Sequence, residues 1–184
     1  LFEDEWMLAV NKAQGVVVHP AKGHSGPTLA HYLIHHFNSA PDFIATSPTR
    51  PGIVHRLDRG TSGVILIAKD RTTHELLSKA FKGRKIKKEY EAIVWGSTPV
   101  KGRFESTIGR DLRDRRKMSS HTKDGRLAIT DFQTLKATGA FSHVALFPYT
   151  GRTHQLRVHL TENKHPIVGD TLYGGNADGQ ATRL

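Results

Sequence analysis

The string His55-Arg56-Leu57-Asp58-Arg59-Gly60-Thr61-Ser62-Gly63 sets one carboxylate between two guanidinium groups, just before the apolar run from Val64 to Ala68. A neighbouring cation favours the charged form of a carboxylate, which suits a nucleophile or a base. Asp58 is therefore the first candidate for chemistry, although a structural ion pair at a strand entrance would read the same way from this string alone. Gly60-Thr61-Ser62-Gly63 imitates a phosphate loop but lacks the Lys-Ser/Thr ending and following helix of a nucleotide site.

Two further strings supply partners. In Lys87–Gly96, Tyr90 sits between Glu89 and Glu91 at the start of a strand-like run, where an aromatic also fits a half-buried pleated surface. In Thr150–Leu160, alternation predicts a strand over 155–160 with Gln155, Arg157 and His159 on one face and Leu156, Val158 and Leu160 on the other. A guanidinium buried in mid-strand asks for a carboxylate, and Asp58 is the candidate. His55, His154 and His159 are dispersed over different elements, so a structural role is expected for them in preference to general base catalysis. His31 and His35 stand one helical turn apart but have no third ligand nearby, whereas a catalytic zinc takes three; they read as helix-surface histidines, and no metal is expected.

The elements that must position these residues are mostly strands. Trp6–Val10, Gly15–Val18, Val64–Ala68, Tyr90–Trp95, Gly102–Ile108, Ala128–Ala137, Ser142–Pro148 and Gln155–Leu160 carry strand signals. Thr28–Phe37 reads as a helix with Leu29, Leu33 and Phe37 on one face, and Arg71–Phe81 as another with Leu76, Leu77, Ala80 and Phe81 on its apolar side. The prolines at 41, 48 and 51 place a loop over 38–52. Strand runs with two inserted helices fit an α+β fold with a mixed, largely antiparallel sheet.

At 184 residues the chain suits one compact domain. Having no cysteine excludes disulfides, thiolate metal sites and a cysteine nucleophile, and accords with a cytoplasmic setting. No apolar run approaches the ~20 residues that span a bilayer, so no membrane partner is expected. Lys plus Arg number 27 against 17 Asp plus Glu, a net charge of +10, which points to a polyanionic partner. One basic cluster holds Lys82, Arg84, Lys85, Lys87 and Lys88. A second, Arg110, Arg113, Arg115, Arg116 and Lys117, lies between two strands and is expected to be a mobile arm on nucleic acid.

The strings HRLDRGTSGVILIAK, KKEYEAIVWG, TGRTHQLRVHL and HPIVGDTLYGG, in that order, closely resemble the motifs of the RluA-type pseudouridine synthases. VNKAQGVVVHP, from Val10 to Pro20, is similar to that family's first motif. The resemblance implies the pseudouridine synthase fold over 1–184, a catalytic core trimmed at both ends relative to the family. It also implies an isomerisation that breaks the N-glycosidic bond of a uridine, turns the uracil and rejoins it through carbon, with no cofactor or metal.

By the same resemblance Asp58 attacks the target, Tyr90 packs on the base and accepts a proton, Arg157 pairs with the aspartate, and Leu156 lies close to the base. Arg56 enters the stack the target has left, and Arg152 and His154 join the RNA-binding set. A base must leave its stack to react, at a cost of a few kcal/mol that is least in loops. Structured RNA is therefore the expected partner of a monomeric enzyme: large-subunit ribosomal RNA on the likeness of IGRDLRDRRKM and VGDTLYGG, with transfer RNA as the alternative. A non-catalytic RNA-binding module is the second functional class, and the joint presence of Asp58, Tyr90 and Arg157 argues against it.

Overall fold

The alternation from Met7 to Lys12 and the β-branched run before Ala68 pair with each other to form the first sheet. A computed structural model describes residues 1–21, 23–37 and 49–174, and the chain forms two compact units, residues 1–86 and 87–184. In the first unit β1 (Phe2–Glu3), β2 (Met7–Lys12) and β3 (Gly63–Ala68) lie in that order, all antiparallel. Ile65, Ile67 and Ala68 of β3 are fully buried. Helix α1 (Leu29–His36) buries Leu29, Leu33 and the following Phe37, the face its spacing predicts. His31 is spent on this helix's start: its Nδ1 accepts the N–H of Thr28 at 3.1 Å and meets the Thr28 hydroxyl at 2.9 Å. Among the described residues no cluster of three or more His, Asp or Glu could hold a metal.

Two expectations in this unit are corrected. Gly15–Val18 is no strand; it keeps only an isolated parallel bridge from Val17 to Thr28. The carbonyls of Val17 and Val18 accept the N–H groups of Leu29 and Ala30, so they serve the orphan donors of a helix N-terminus instead of a ladder. Helix α2 (Arg71–Lys82) starts on Asp70, whose carboxylate accepts the Thr73 N–H, and ends at Gly83. Its partly buried stripe is His74, Leu77, Ser78 and Phe81 at i, i+3, i+4 and i+7. Leu76 falls off that stripe and is 63% exposed. Of the loop expected over 38–52, residues 38–48 lie outside the described part.

The second unit is an antiparallel sheet of five strands in the order β4-β8-β7-β5-β6, formed by β4 (Tyr90–Trp95), β5 (Lys101–Arg110), β6 (Met118–Ser119), β7 (Arg126–Ala137) and β8 (Phe141–Pro148). The α+β class and the largely antiparallel pairing are as expected. Val94, Phe104, Phe132, Val144 and Leu146 line one face of this sheet and pack with Leu160 of helix α3 (Gln155–Glu162). That helix overturns the strand expected over 155–160. In so short a window the apolar residues fit both periods: 156, 158 and 160 alternate, while 156 and 160 also stand one helical turn apart. The polar residues decide. Gln155 Nε2 and His159 Nδ1 lie 2.9 and 3.0 Å from the same hydroxyl, Thr130 Oγ1. Side chains four apart on a helix are about 5–6 Å apart at Cβ, whereas on a strand they stand about 13 Å apart.

The entrance to β3 depends on Gly52. Its φ is +65°, its carbonyl accepts the Ala68 N–H at 2.9 Å, and a Cβ there would overlap the Ala68 carbonyl oxygen. Gly52→Ala is expected to destabilise the chain by about 1–3 kcal/mol, the range for a residue forced into a strained backbone conformation. Thermal denaturation of the two forms should show a midpoint lower by several degrees in the variant.

Candidate active site

Asp58 sits in a turn of the first unit that the buried Leu57 anchors from one side. The Asp58 carbonyl accepts the Thr61 N–H at 3.1 Å, closing the turn. The loop is tied to the 12–16 segment by a buried lysine. Lys12, the last residue of β2, is 1% exposed, and its ammonium donates to the carbonyls of Ala13, Val16 and Arg59 at 2.9, 3.0 and 3.5 Å. Burial pulls its pKa below the ordinary lysine value, and the Asp58 carboxylate acts in the opposite direction. Gly15 N–H and Arg59 O meet at 2.8 Å, and Arg59 Nε donates to Gly15 O. Arg59 thus bonds to the backbone of Gly15, and both Arg56 and Arg59 are exposed. His55 accepts the Leu66 N–H on Nε2 at 2.9 Å and stacks on Phe81 with centroids 4.4 Å apart. It bridges the loop to β3 and α2.

In the second unit Tyr90 and Leu156 are both packed, partly buried, against the apolar cluster of the sheet. Arg157, next along α3, holds Asp170 with a two-pronged grip: Nε to Oδ2 at 2.7 Å and Nη2 to Oδ1 at 2.8 Å. Asp170 is the carboxylate the structure gives Arg157 in its own unit, a partner that the sequence pattern does not single out. Burial works to raise the Asp170 carboxyl, but the bonds from Arg157 and from the N–H groups of Tyr173 and Leu172 outweigh it and leave the group below the usual carboxylate range. Arg157 also lies over the Tyr173 ring, 4.7 Å from its centroid.

The expected RNA-binding residues separate into engaged and exposed groups. Segment 111–117 is a hairpin loop between β5 and β6, tied by Asp111, which accepts the N–H groups of Arg113 and Asp114. Arg110 donates to the Arg115 carbonyl, and Arg116 grips Asp114 with two bonds, holding that carboxyl down at about 2. The arm is thus an internally bonded loop that presents Arg113 and Arg115 on its surface, both exposed. Arg152 Nε donates to the Leu127 carbonyl, and His154 Nδ1 meets the Tyr173 hydroxyl at 2.7 Å.

Residues 7–162 match the family of RNA pseudouridylate synthases. The chain belongs to that family. Among similar proteins of this family, an uncharacterized RNA pseudouridine synthase of Chlorobaculum parvum is 42% identical over 179 residues, 95% of this chain and 55% of that protein. Ribosomal large subunit pseudouridine synthase D of Borreliella burgdorferi is 40% identical over 185 residues, 100% of this chain and 56% of that protein. The chain thus spans about half the length of the curated relatives it matches. Human RNA pseudouridylate synthase domain containing 1 superposes with a TM-score of 0.79 at 28% identity, covering 100% of this chain and 71% of the other.

The sequence reading gives no role to four residues of this framework: Thr130, and Lys12, Asp170 and Tyr173, which lie inside the family-like strings from Val10 to Pro20 and from His165 to Gly175. The Thr130 network has a measurable signature. His159 is 2% exposed, with its ring nitrogens 3.0 Å from Thr130 Oγ1 and 3.2 Å from Ser106 Oγ, and burial lowers its pKa from 6.5 to about 4. The folded state then binds fewer protons than the unfolded state between those two values. The stability is fully present above about pH 6.5 and is lost as pH falls to about 4, a loss of about 3 kcal/mol. Denaturant titrations between pH 7 and 4 should show this decline, and His159→Gln should flatten it; an unchanged slope in the variant would exclude His159 as its source.

Proposed function

We propose that this chain carries the catalytic machinery of an enzyme that isomerises uridine to pseudouridine in structured RNA, with Asp58 as nucleophile. The observation that supports it most is the family match over residues 7–162, which takes in Asp58, Tyr90 and Arg157. Asp58 attacks the target uridine, the bond from N1 of the uracil to the ribose breaks, and the freed base turns to present C5. A bond from C5 to the ribose then forms as the bond that Asp58 made is released, C5 gives up its proton and N1 gains one, so the carboxylate is regenerated and the reaction needs no co-reactant. Tyr90 offers an aromatic face to the base and a phenol to the proton, and Leu156, packed on the same cluster, offers an apolar contact. Arg157 brings a permanent cation whose orientation Asp170 fixes.

Large-subunit ribosomal RNA is the favoured substrate, supported by the relatives named ribosomal large subunit pseudouridine synthase D. The base reacts outside its stack, so loops and single strands are the favoured sites. Arg56 and the basic loop at 110–117 bind phosphate and stacked bases.

Incubating the chain with large-subunit ribosomal RNA and with transfer RNA, then mapping pseudouridine in both, tests activity and substrate together. Asp58→Asn is expected to lower the rate by about 10³-fold or more, equivalent to ~4 kcal/mol of transition-state stabilisation, while RNA binding persists. Turnover undiminished in that variant would remove Asp58 from the mechanism. Exchanging Arg113 and Arg115 together for Glu leaves the loop's backbone bonds in place. It should weaken RNA binding and make the salt dependence shallower by roughly 0.7–0.9 in log–log slope for each phosphate that the loop ceases to neutralise. Affinity and slope equal to those of the parent chain would take the loop out of the RNA interface.

A further inference from the structure

We propose that Tyr173 is a positioning residue that couples the basic hairpin loop at 111–117 to the guanidinium of Arg157. The proposal rests on the reading of Arg157 and the loop given above and adds a link that neither residue set contains.

The link is built from one buried side chain. Tyr173 is 7% exposed, packed with Ile108, Ala128 and Val158. Its hydroxyl accepts the Met118 N–H at 2.6 Å and lies 2.7 Å from His154 Nδ1. The phenol has one proton, which it can give to Nδ1, or it can accept a second N–H from Nδ1, according to the His154 tautomer; in both cases its hydroxyl joins Met118 to His154. Met118 is the first residue of β6, directly after the loop, and His154 is the N-cap of α3, held at a φ of 55° three residues before Arg157.

The other end of the link is the ring face. The Arg157 guanidinium lies 4.7 Å from the ring centroid, and the loop's own Lys117 ammonium lies 6.0 Å from it; cations at such distances are drawn to the ring. The Asp170 carboxylate that grips Arg157 also accepts the N–H of Tyr173. The turn from Asp170 to Tyr173 therefore supplies both the carboxylate and the aromatic face that hold Arg157, and the same turn is bonded to the strand the loop feeds. When RNA phosphates draw on the loop, the displacement reaches Arg157 through Met118, the phenol and the ring. A phenylalanine would keep the ring and drop the two hydroxyl bonds.

The test uses Tyr173→Phe and Tyr173→Leu, each alone and with the Arg113 and Arg115 exchange, on a large-subunit ribosomal RNA transcript that the parent chain modifies. RNA affinity and the single-turnover rate at saturating RNA are measured separately, because a merely structural loss lowers the active fraction without changing that rate constant. We expect Tyr173→Phe to hold RNA affinity within about threefold and to slow the saturating rate about tenfold, and Tyr173→Leu to slow it further. The loop exchange should slow the saturating rate in the parent chain but not in Tyr173→Phe, where it should lower affinity alone. A parental rate in Tyr173→Phe, or the same rate factor from the loop exchange in both backgrounds, overturns the coupling.

A nitrogen-15 NMR titration of the Arg157 Nε–H with the transcript reads the link without catalysis. A shift on RNA binding that is present in the parent chain and absent in Tyr173→Phe supports it, and no shift in the parent overturns it. A parent chain that forms no pseudouridine in any RNA refutes the catalytic reading, while the NMR arm still decides the coupling.

Discussion

A single hydroxyl, Thr130 Oγ1, holds the second unit in the form its candidate residues need. It is fully buried on β7 and meets both Gln155 and His159, one turn apart on α3. Gln155 also donates to the Ile129 carbonyl and accepts the Thr150 hydroxyl and the Arg152 N–H, so its amide is satisfied. Buried polar groups are costly when unpaired and selective when paired. An apolar helix face could slide or roll on the sheet; this one has a single seat. Leu156 and Arg157 inherit that seat, the one on the apolar cluster and the other over Tyr173 and Asp170.

The first unit solves the same problem with a cation. Three backbone carbonyls from the 13–16 turn and the Asp58 loop converge on the buried Lys12 ammonium, whose three N–H groups match them in number. Loop carbonyls away from water require donors, and a charged donor makes the stronger bond. Two irregular segments are thereby locked to the end of β2, and the turn that carries Asp58 takes its position from a strand.

Much of this architecture was legible in the chain. The strands β4, β5, β7 and β8 and the helices at 29–36 and 71–82 followed from patterns of type and spacing, and the family from the resemblance of the motif strings. The same resemblance proposes Asp58, Tyr90 and Arg157 as site residues. What stayed hidden was of one kind: partners chosen by tertiary geometry. Alternation over 155–160 suited strand and helix alike, and only Thr130, some 25 residues earlier, separates the two. The Asp170 carboxylate and the Tyr173 hydroxyl lie in a family-like string that does not show their partners, because each acts through a group on another element. Leu76 misled for the opposite reason, since an apolar residue at a solvent-facing helix position is common and costs little.

The outer side of β3 has a further meaning. A strand with one paired edge normally offers a free row of donors and acceptors to any extended chain that drifts past. Here part of the row is already occupied: Leu66 N–H by the His55 imidazole, and Ala68 N–H by the Gly52 carbonyl within the one-residue antiparallel bridge of Ile53 to Ile67. A side chain, a bent glycine and a one-residue pairing share no common register, so a foreign strand finds no continuous ladder to extend. The segment leading to Asp58 thereby also guards the most apolar strand of the chain against self-association.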